Sequence, residues 1–126
     1  MDIRKVETEK APIPAGHYSQ AVVAGGFVFI SGQIPVVPVT REKVTGSIEE
    51  QTLQVLKNIV AIAEASGSSA GKIVKMTIYI SDMDYWPLVN NVFADFFADP
   101  KPARAIVPVK DLHYGFKVEA DAIGVI

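Results

Sequence analysis

Three charged side chains near the end of the chain have the types and spacing to do chemistry: Arg104, Glu119 and Asp121. Arg104 is the one guanidinium in the run Lys101-Pro102-Ala103-Arg104-Ala105-Ile106-Val107-Pro108-Val109. Its β-branched and small residues, following the turn-forming Asp99-Pro100, predict a short strand. An arginine among apolar residues is costly to bury unless an anion meets it. With period two, Arg104, Ile106 and Pro108 share one face. If this strand and Phe116–Val125 form an antiparallel hairpin around a Lys110–Gly115 loop, matching Val109 with Phe116 sets Arg104 opposite Asp121. A slip of two residues sets it opposite Glu119, and either register keeps all three charges on one face. Such a cluster can be a cross-strand ion pair, stabilising by ~0.2–1 kcal/mol. It can equally be a site in which the arginine fork binds a substrate carboxylate. The acid left unneutralised beside its neighbour then has a raised pKa and handles a proton or a water. Spacing alone leaves both readings open.

The elements that must position these groups follow from local pattern. Residues 2–8 suit an edge strand, and Ala11-Pro12-Ile13-Pro14-Ala15-Gly16 must stay extended because its prolines fix φ and bar the α region before them. Ala21–Ala24, Gly25-Gly26 and Phe27–Gly32 read as strand, tight turn and strand, the glycine pair supplying positive φ. Gln33–Thr45 is a loop. A helix begins at Ser47, where Ser-Ile-Glu-Glu fits a capping box with Glu50 at its third position. Ile48, Thr52, Val55, Leu56, Ile59, Ile62 and Ala63 give it one apolar face, and Gly67 suits its end. Lys72–Ser81 alternates as a strand, with Val74, Met76, Ile78 and Ile80 expected toward the helices and Ile73, Lys75, Thr77 and Tyr79 away. A second helix spans about Asp84–Phe97, capped by Asp82 or Asp84, with Pro87 in its first turn and Val89, Val92, Phe93 and Phe96 inward. The order β-β-β-α-β-α-β-β defines an α+β layer with both helices on one face of a mixed sheet. The other face, expected to carry Ile73, Thr77, Tyr79, Ile106, Ile123 and Val125, is too apolar to stay wet, which implies a closed homo-oligomer.

Composition narrows the function classes. At 126 residues, with no linker or repeat, the chain fits one domain over residues 1–126. Hydrophobic residues make up 49% and mean hydropathy is +0.26, an apolar lean that also favours a surface buried between copies. Net charge is −2, and no more than two Lys or Arg residues adjoin, which argues against nucleic-acid binding. The absence of cysteine rules out disulfides and thiolate chemistry. His17 and His113 have no partners at zinc spacing, so no metal site is expected. The charged N-terminus lacks a signal-peptide core and no apolar run approaches a membrane span, so the expected location is cytoplasmic with no membrane contact. Gly25-Gly26 is turn chemistry, since no phosphate-cradling glycine motif runs into a helix.

Several motifs together resemble one family. Gly16-His17-Tyr18-Ser19-Gln20-Ala21 is similar to its G-P-Y-S-Q-A opening, and Ser31-Gly32-Gln33-Ile34-Pro35 matches its S-G-Q-I-P. Glu64–Ser69, Val89–Phe97 and Pro102-Ala103-Arg104 match in order and spacing. Over roughly residues 9–125 the chain resembles the RidA/YjgF reactive-intermediate deaminases. The resemblance implies a chorismate mutase-like fold of the bacillary type, with a mixed six-stranded sheet, two helices on one face, and three copies closing into a homotrimer with clefts between subunits. It also implies hydrolysis of enamines and imines such as 2-aminoacrylate or 2-iminopropionate to a 2-keto acid and ammonia, with no metal or organic cofactor.

Position by position, the resemblance assigns substrate-carboxylate binding to Arg104, catalysis to Glu119 and Tyr18, and cleft contacts to Ser31, Gly32, Asn90 and the main chain of Ile106; Asp121 stands where a second glutamate is common. Two departures bear on specificity: His17 replaces a usual proline, and Leu112-His113-Tyr114-Gly115 replaces a frequent L-P-K-D turn. Read from the residues alone, Tyr18 could also pack an interface, Asn90 could cap or bridge elements, and Gly32 could be a bulge or a point of close backbone approach. Two other functions stay open: an endoribonuclease or translation inhibitor, as some family members are described, and a non-catalytic small-carboxylate-binding regulator.

Overall fold

Tight turns and helix caps divide the chain much as its local signals require, and the computed structural model describes all of residues 1–126. The strands are β1 (Arg4–Val6), β2 (Ala21–Ala24), β3 (Phe27–Gln33), β4 (Ile73–Ile80), β5 (Ala103–Pro108) and β6 (Val118–Val125). The helices are α1 (Ile48–Ala65) and α2 (Trp86–Phe96), with 3-10 turns at Ala70–Lys72, Met83–Tyr85 and His113–Gly115. Gly25 and Gly26 make the hairpin turn at φ 59° and 81°, where a side chain is disfavoured. Ser47 Oγ accepts a hydrogen bond from the Glu50 amide at 3.1 Å, fixing the start of α1. Asp82 Oδ1 accepts from the Asp84 amide at 2.8 Å and so caps the Met83–Tyr85 turn, not the helix as expected. Helix α2 itself starts at Trp86 behind Tyr85 with no side-chain cap, and Pro87 sits in its first turn, as expected.

The six strands form one sheet in the order β1-β2-β3-β6-β4-β5. All neighbours are antiparallel except β4 and β5, which are parallel and joined through α2. The buried residues of both helices meet the inward residues of the sheet in one core that includes Val28, Ile30, Leu56, Ile59, Met76, Ile78, Val89 and Phe93. The whole expected stripe of α1, Ile48 through Ala63, is buried. The fold is therefore the α+β class the element order implies.

Three expectations are corrected. First, β5 and β6 are not a hairpin: β4 lies between them and pairs with both. The loop after Val109 crosses the end of β4, where the Val109 amide donates to Ile80 O at 2.8 Å and the Ser81 amide to Lys117 O at 3.1 Å. Met76, Ile78 and Ile80 are buried and need partners on both sides, whereas proline-bounded β5 suits an edge. Second, Ile73 is buried and Val74 is exposed, the reverse of simple alternation. A bulge at Val74, between the pairs Ile73–Gly124 and Lys75–Ile123, resets the phase. Third, Ile106 pairs with Ile78 and packs on the core, so it belongs to the helix face and not to the open one.

The open face keeps an apolar character without Ile73 and Ile106. Phe27 and Phe29 are 43% and 42% exposed and their rings lie 6.4 Å apart. Val22, Tyr79, Ile123 and Val125 are half-buried.

Candidate functional site

The seven residues assigned to a site fall into two groups. Arg104 pairs with Met76, whose side chain is buried toward the helices, so its guanidinium also lies on the helix face. It sits 4.7 Å from the centre of the Phe93 ring and 5.6 Å from that of Trp86, both on α2. Aromatic faces attract the guanidinium without neutralising it, which leaves its fork free for an anion. Burial pulls the Arg104 pKa down, yet an arginine remains charged at any working pH. Asn90, half-buried, lies one turn from both Trp86 and Phe93 on the same helix. Ile106 follows Arg104 on the same strand face. Lys101 Nζ donates to Ala94 O at 3.0 Å and to Phe97 O, tying the approach to β5 to the end of α2. Arg104 and Ile106 thus lie on the helix side of the edge strand β5, with Ile106 packed on the core, and Asn90 is on the helix whose Trp86 and Phe93 rings flank the guanidinium.

The second group surrounds Glu119 on the open face. Glu119 pairs with Tyr79, and Asp121 with Thr77. A concavity of about 540 Å³ is lined by Ala15, Gly16, Tyr18, Ser31, Gly32, Ile34, His113 and Glu119. Its wall is a bulge: between Ile30–Ala122 and Gln33–Ala120, β3 spends one residue more than β6, and Ser31-Gly32 occupies the irregularity. A side chain at Gly32 would run into the Glu119 carboxylate, so glycine is what lets the carboxylate lie against the backbone. Ser31 Oγ donates to Ser19 O at 2.6 Å, and the Tyr18 hydroxyl accepts from the Ala15 amide at 3.3 Å. Gln20, buried, ties down the proline-rich segment that leads into this wall: its Oε1 accepts from the Thr8 amide at 2.7 Å, and its Nε2 donates to the carbonyls of Thr8, Ala11 and Pro12.

The electrostatics single out Glu119. Burial pushes its pKa up, the Asp121 charge adds to that, and His113 pulls it back down. Asp121 accepts a hydrogen bond from the Tyr79 hydroxyl at 3.1 Å. Burial, that bond and the two nearby carboxylates together raise the Tyr79 pKa. No ion pair joins Arg104 to either acid; the one in the chain is Lys5–Glu7, on the surface. The cross-strand salt bridge is therefore ruled out within one chain. His113 lines the concavity, which puts the variant turn at the site, whereas His17 is exposed outside its lining. No three His, Asp or Glu side chains gather as metal ligands, and no helix is long and apolar enough to cross a membrane.

Sequence reasoning missed the two buried amides that brace the segments around the site, Gln20 and Asn58. Asn58 on α1 donates from Nδ2 to Ile34 O at 3.2 Å and Val36 O at 3.0 Å. Gln20 lay within a recognised motif, but no pattern marks an amide that bonds to backbone carbonyls.

The sheet order, the two backing helices and the bulged strand over a half-buried carboxylate define a small α+β protein of the RidA/L-PSP fold. The chain belongs to the Endoribonuclease L-PSP family, the YjgF/RidA family, whose model matches residues 8–126. A RutC family protein of Pyrococcus horikoshii is 49% identical, over 92% of each chain. The 2-iminobutanoate/2-iminopropanoate deaminase of Dermatophagoides farinae is 42% identical, over 98% of this chain and 96% of its own. Reactive Intermediate Deaminase A of Arabidopsis thaliana is 42% identical over 94% of this chain and 63% of its own. Among solved structures, E. coli TdcF with bound serine superposes with a TM-score of 0.91 at 39% identity, over 98% of each chain.

Proposed function

We propose that the protein hydrolyses small 2-imino and 2-enamino carboxylates to the 2-keto acid and ammonia, in a cleft between copies of a homotrimer. One observation carries this reading: Glu119, with its pKa raised, faces a concavity that holds no arginine fork, while Arg104 offers its fork from the other face of the same sheet. A second copy seated on the open face brings the two together. The apolar rows around Phe27, Phe29, Ile123 and Val125 give such a contact its driving force. The relatives named as deaminases and the serine-bound neighbour agree with a small amino- or imino-acid ligand.

In this reading Arg104 of one copy holds the substrate carboxylate, with Asn90 and the Ile106 main chain beside it. Glu119 of the next copy holds a water against C2 of the imine and takes its proton as the oxygen adds. The π electrons of the C=N bond pass to nitrogen, which receives that proton from Glu119. Glu119 then takes the hydroxyl proton of the resulting carbinolamine and delivers it to the same nitrogen as the C–N bond breaks, so ammonia and the 2-keto acid leave. An enamine enters as its imine tautomer, C3 gaining the proton that nitrogen loses. Tyr18 steadies the nitrogen or the entering oxygen, and Ser31 and Gly32 line the cleft. A raised pKa suits a carboxylate that must accept and pass on a proton twice in each turnover. Orientation of a bound water supplies much of the acceleration, because the imine carbon is already electrophilic. No cofactor enters these steps. With its net charge of −2 the chain lacks the basic footprint of a ribonuclease, and no step requires one.

The test is ammonia and keto-acid release from 2-iminopropionate generated in situ. Wild type is expected to accelerate it, and Arg104→Ala and Glu119→Gln to lose most of that acceleration while keeping their oligomeric state. A folded, fully active Arg104→Ala sinks the assignment.

A further inference from the structure

We propose that the hollow beside the Glu119 concavity is a side-chain subsite selecting substrates with a second anionic group, which Arg41 and Lys43 hold. The inference deepens the deaminase reading and rests on it for the placement of the reacting end. The hollow has a volume of about 320 Å³ and shares Ala15, Tyr18, Gly32 and Ile34 with the concavity around Glu119, so one molecule can span both. Its body is aromatic and aliphatic, from Tyr18, Tyr114, Ile13 and Val36. Its two charged lining residues are both cations, Arg41 and Lys43, and no carboxylate lines it. Neither cation is in an ion pair, and Lys43 Nζ sits 4.1 Å from the centre of the Tyr114 ring. Arg41 also borders a smaller hollow with Glu9, beyond salt-bridge distance.

The loop that carries these cations is built. Val39 and Arg41 take φ of 68° and 64°, a conformation costly for any residue with a side chain and most of all for a β-branched one. The Val37 amide donates to Glu42 O at 2.8 Å, the Arg41 amide to Val37 O at 3.1 Å, and the Val44 amide to Pro35 O at 2.9 Å. Asn58, buried under the loop, clamps the Ile34 and Val36 carbonyls. Charge then sets polarity along the cleft. Glu119 repels a second anion at the reacting end, and the two cations attract it to the far end. A neutral side chain gains the apolar walls alone.

The test is binding of 2-oxo acids matched in chain length, measured by titration calorimetry on the full chain: 2-oxoglutarate against 2-oxopentanoate, and 2-oxoadipate against 2-oxohexanoate. Wild type is expected to bind one dicarboxylate about tenfold or more tightly than its partner. That preference is expected to collapse in Arg41→Gln/Lys43→Gln, with monocarboxylate affinity unchanged. Both side chains are exposed, so the substitutions leave the fold alone. Equal affinities, no dicarboxylate binding, or a preference that survives the double substitution overturns the subsite. If the preference holds but no imine is hydrolysed, the deaminase reading fails and the subsite stands. If 2-iminopropionate is hydrolysed without any such preference, the reverse is true.

Discussion

Arg104 and Glu119 stand on opposite faces of one sheet, in strands that β4 separates. Their strands are two spacings apart, about 10 Å, and the sheet itself lies between the side chains. They can act on one small substrate only if they come from different copies. Mixing two dead variants tests this. When Arg104→Ala and Glu119→Gln protein are unfolded together in equal amounts and refolded, each interface of the proposed trimer has about a one-in-four chance of an intact pair. The mixture is therefore expected to recover about a quarter of wild-type activity, against almost none for either variant alone. Mixed oligomers, verified by mass spectrometry, without recovery would place both groups in one subunit's site.

Glu119 is expected to make both rate and stability depend on pH. Its pKa lies above the ordinary glutamate value because burial and Asp121 disfavour the charge. In the proposed role of base it must be ionised, so activity is expected to fall on acidification with a midpoint above that of a free glutamate, and Glu119→Gln to lack this limb. Stability moves the other way. The folded state binds this proton more tightly than the unfolded state, so its contribution falls as pH rises from the unfolded pKa through the folded one. Glu119→Gln is accordingly expected to be more stable than wild type at neutral pH, with the gap closing below the ordinary glutamate range. Melting curves at fixed protein concentration read the difference. A gap that widens on acidification would contradict the burial of this charge.

What local chemistry dictates was legible in the sequence. Gly25-Gly26, Ser47, Gly67 and the stripe from Ile48 to Ala63 act within a few residues, and each stands where its pattern requires. Partner choice between distant strands was not. Nothing in Arg104 or Asp121 says that β4 inserts between their strands, because strand order is settled by which strand must be buried on both sides. Val74 shows a second limit, since one bulge reverses the phase of an alternating strand. The Glu119 concavity draws on residues near positions 15, 31 and 113, which no periodicity joins. Their association was readable only through family resemblance. The opposite-face arrangement became readable only from the sheet register.

Gly32 separates steric from conformational causes. Its φ lies outside the left-handed region, so alanine meets no backbone penalty there. The added Cβ meets the end of the flexible Glu119 side chain, which can swing aside. Gly32→Ala is expected to change stability by no more than about 0.5 kcal/mol while lowering kcat/KM by about 10–100-fold. Unfolding curves and steady-state rates measured together check this. Loss of stability in step with activity would mean that the bulge, and not the carboxylate position, is what glycine protects.

Asn58 is the buried link between helix α1 and the loop that bears Arg41 and Lys43. It is 1% exposed, its Nδ2 serves two loop carbonyls, and its Oδ1 accepts from Gln54 Nε2 at 2.9 Å. Asn58→Ala leaves the Ile34 and Val36 carbonyls without that donor and opens a gap beneath the loop, a cost of about 1–3 kcal/mol. The loop keeps its own cross-connections, so its hold on the body should loosen before they break. Amide hydrogen exchange is expected to quicken at Val37, Arg41 and Val44 well beyond what the global loss of stability explains, while Met76 and Ile78 in β4 track the global change. The dicarboxylate preference should weaken in the same variant with Arg41 and Lys43 intact, because two cations on a loosened loop no longer share one position. Uniform quickening across the sheet and loop would instead make Asn58 an ordinary core contact.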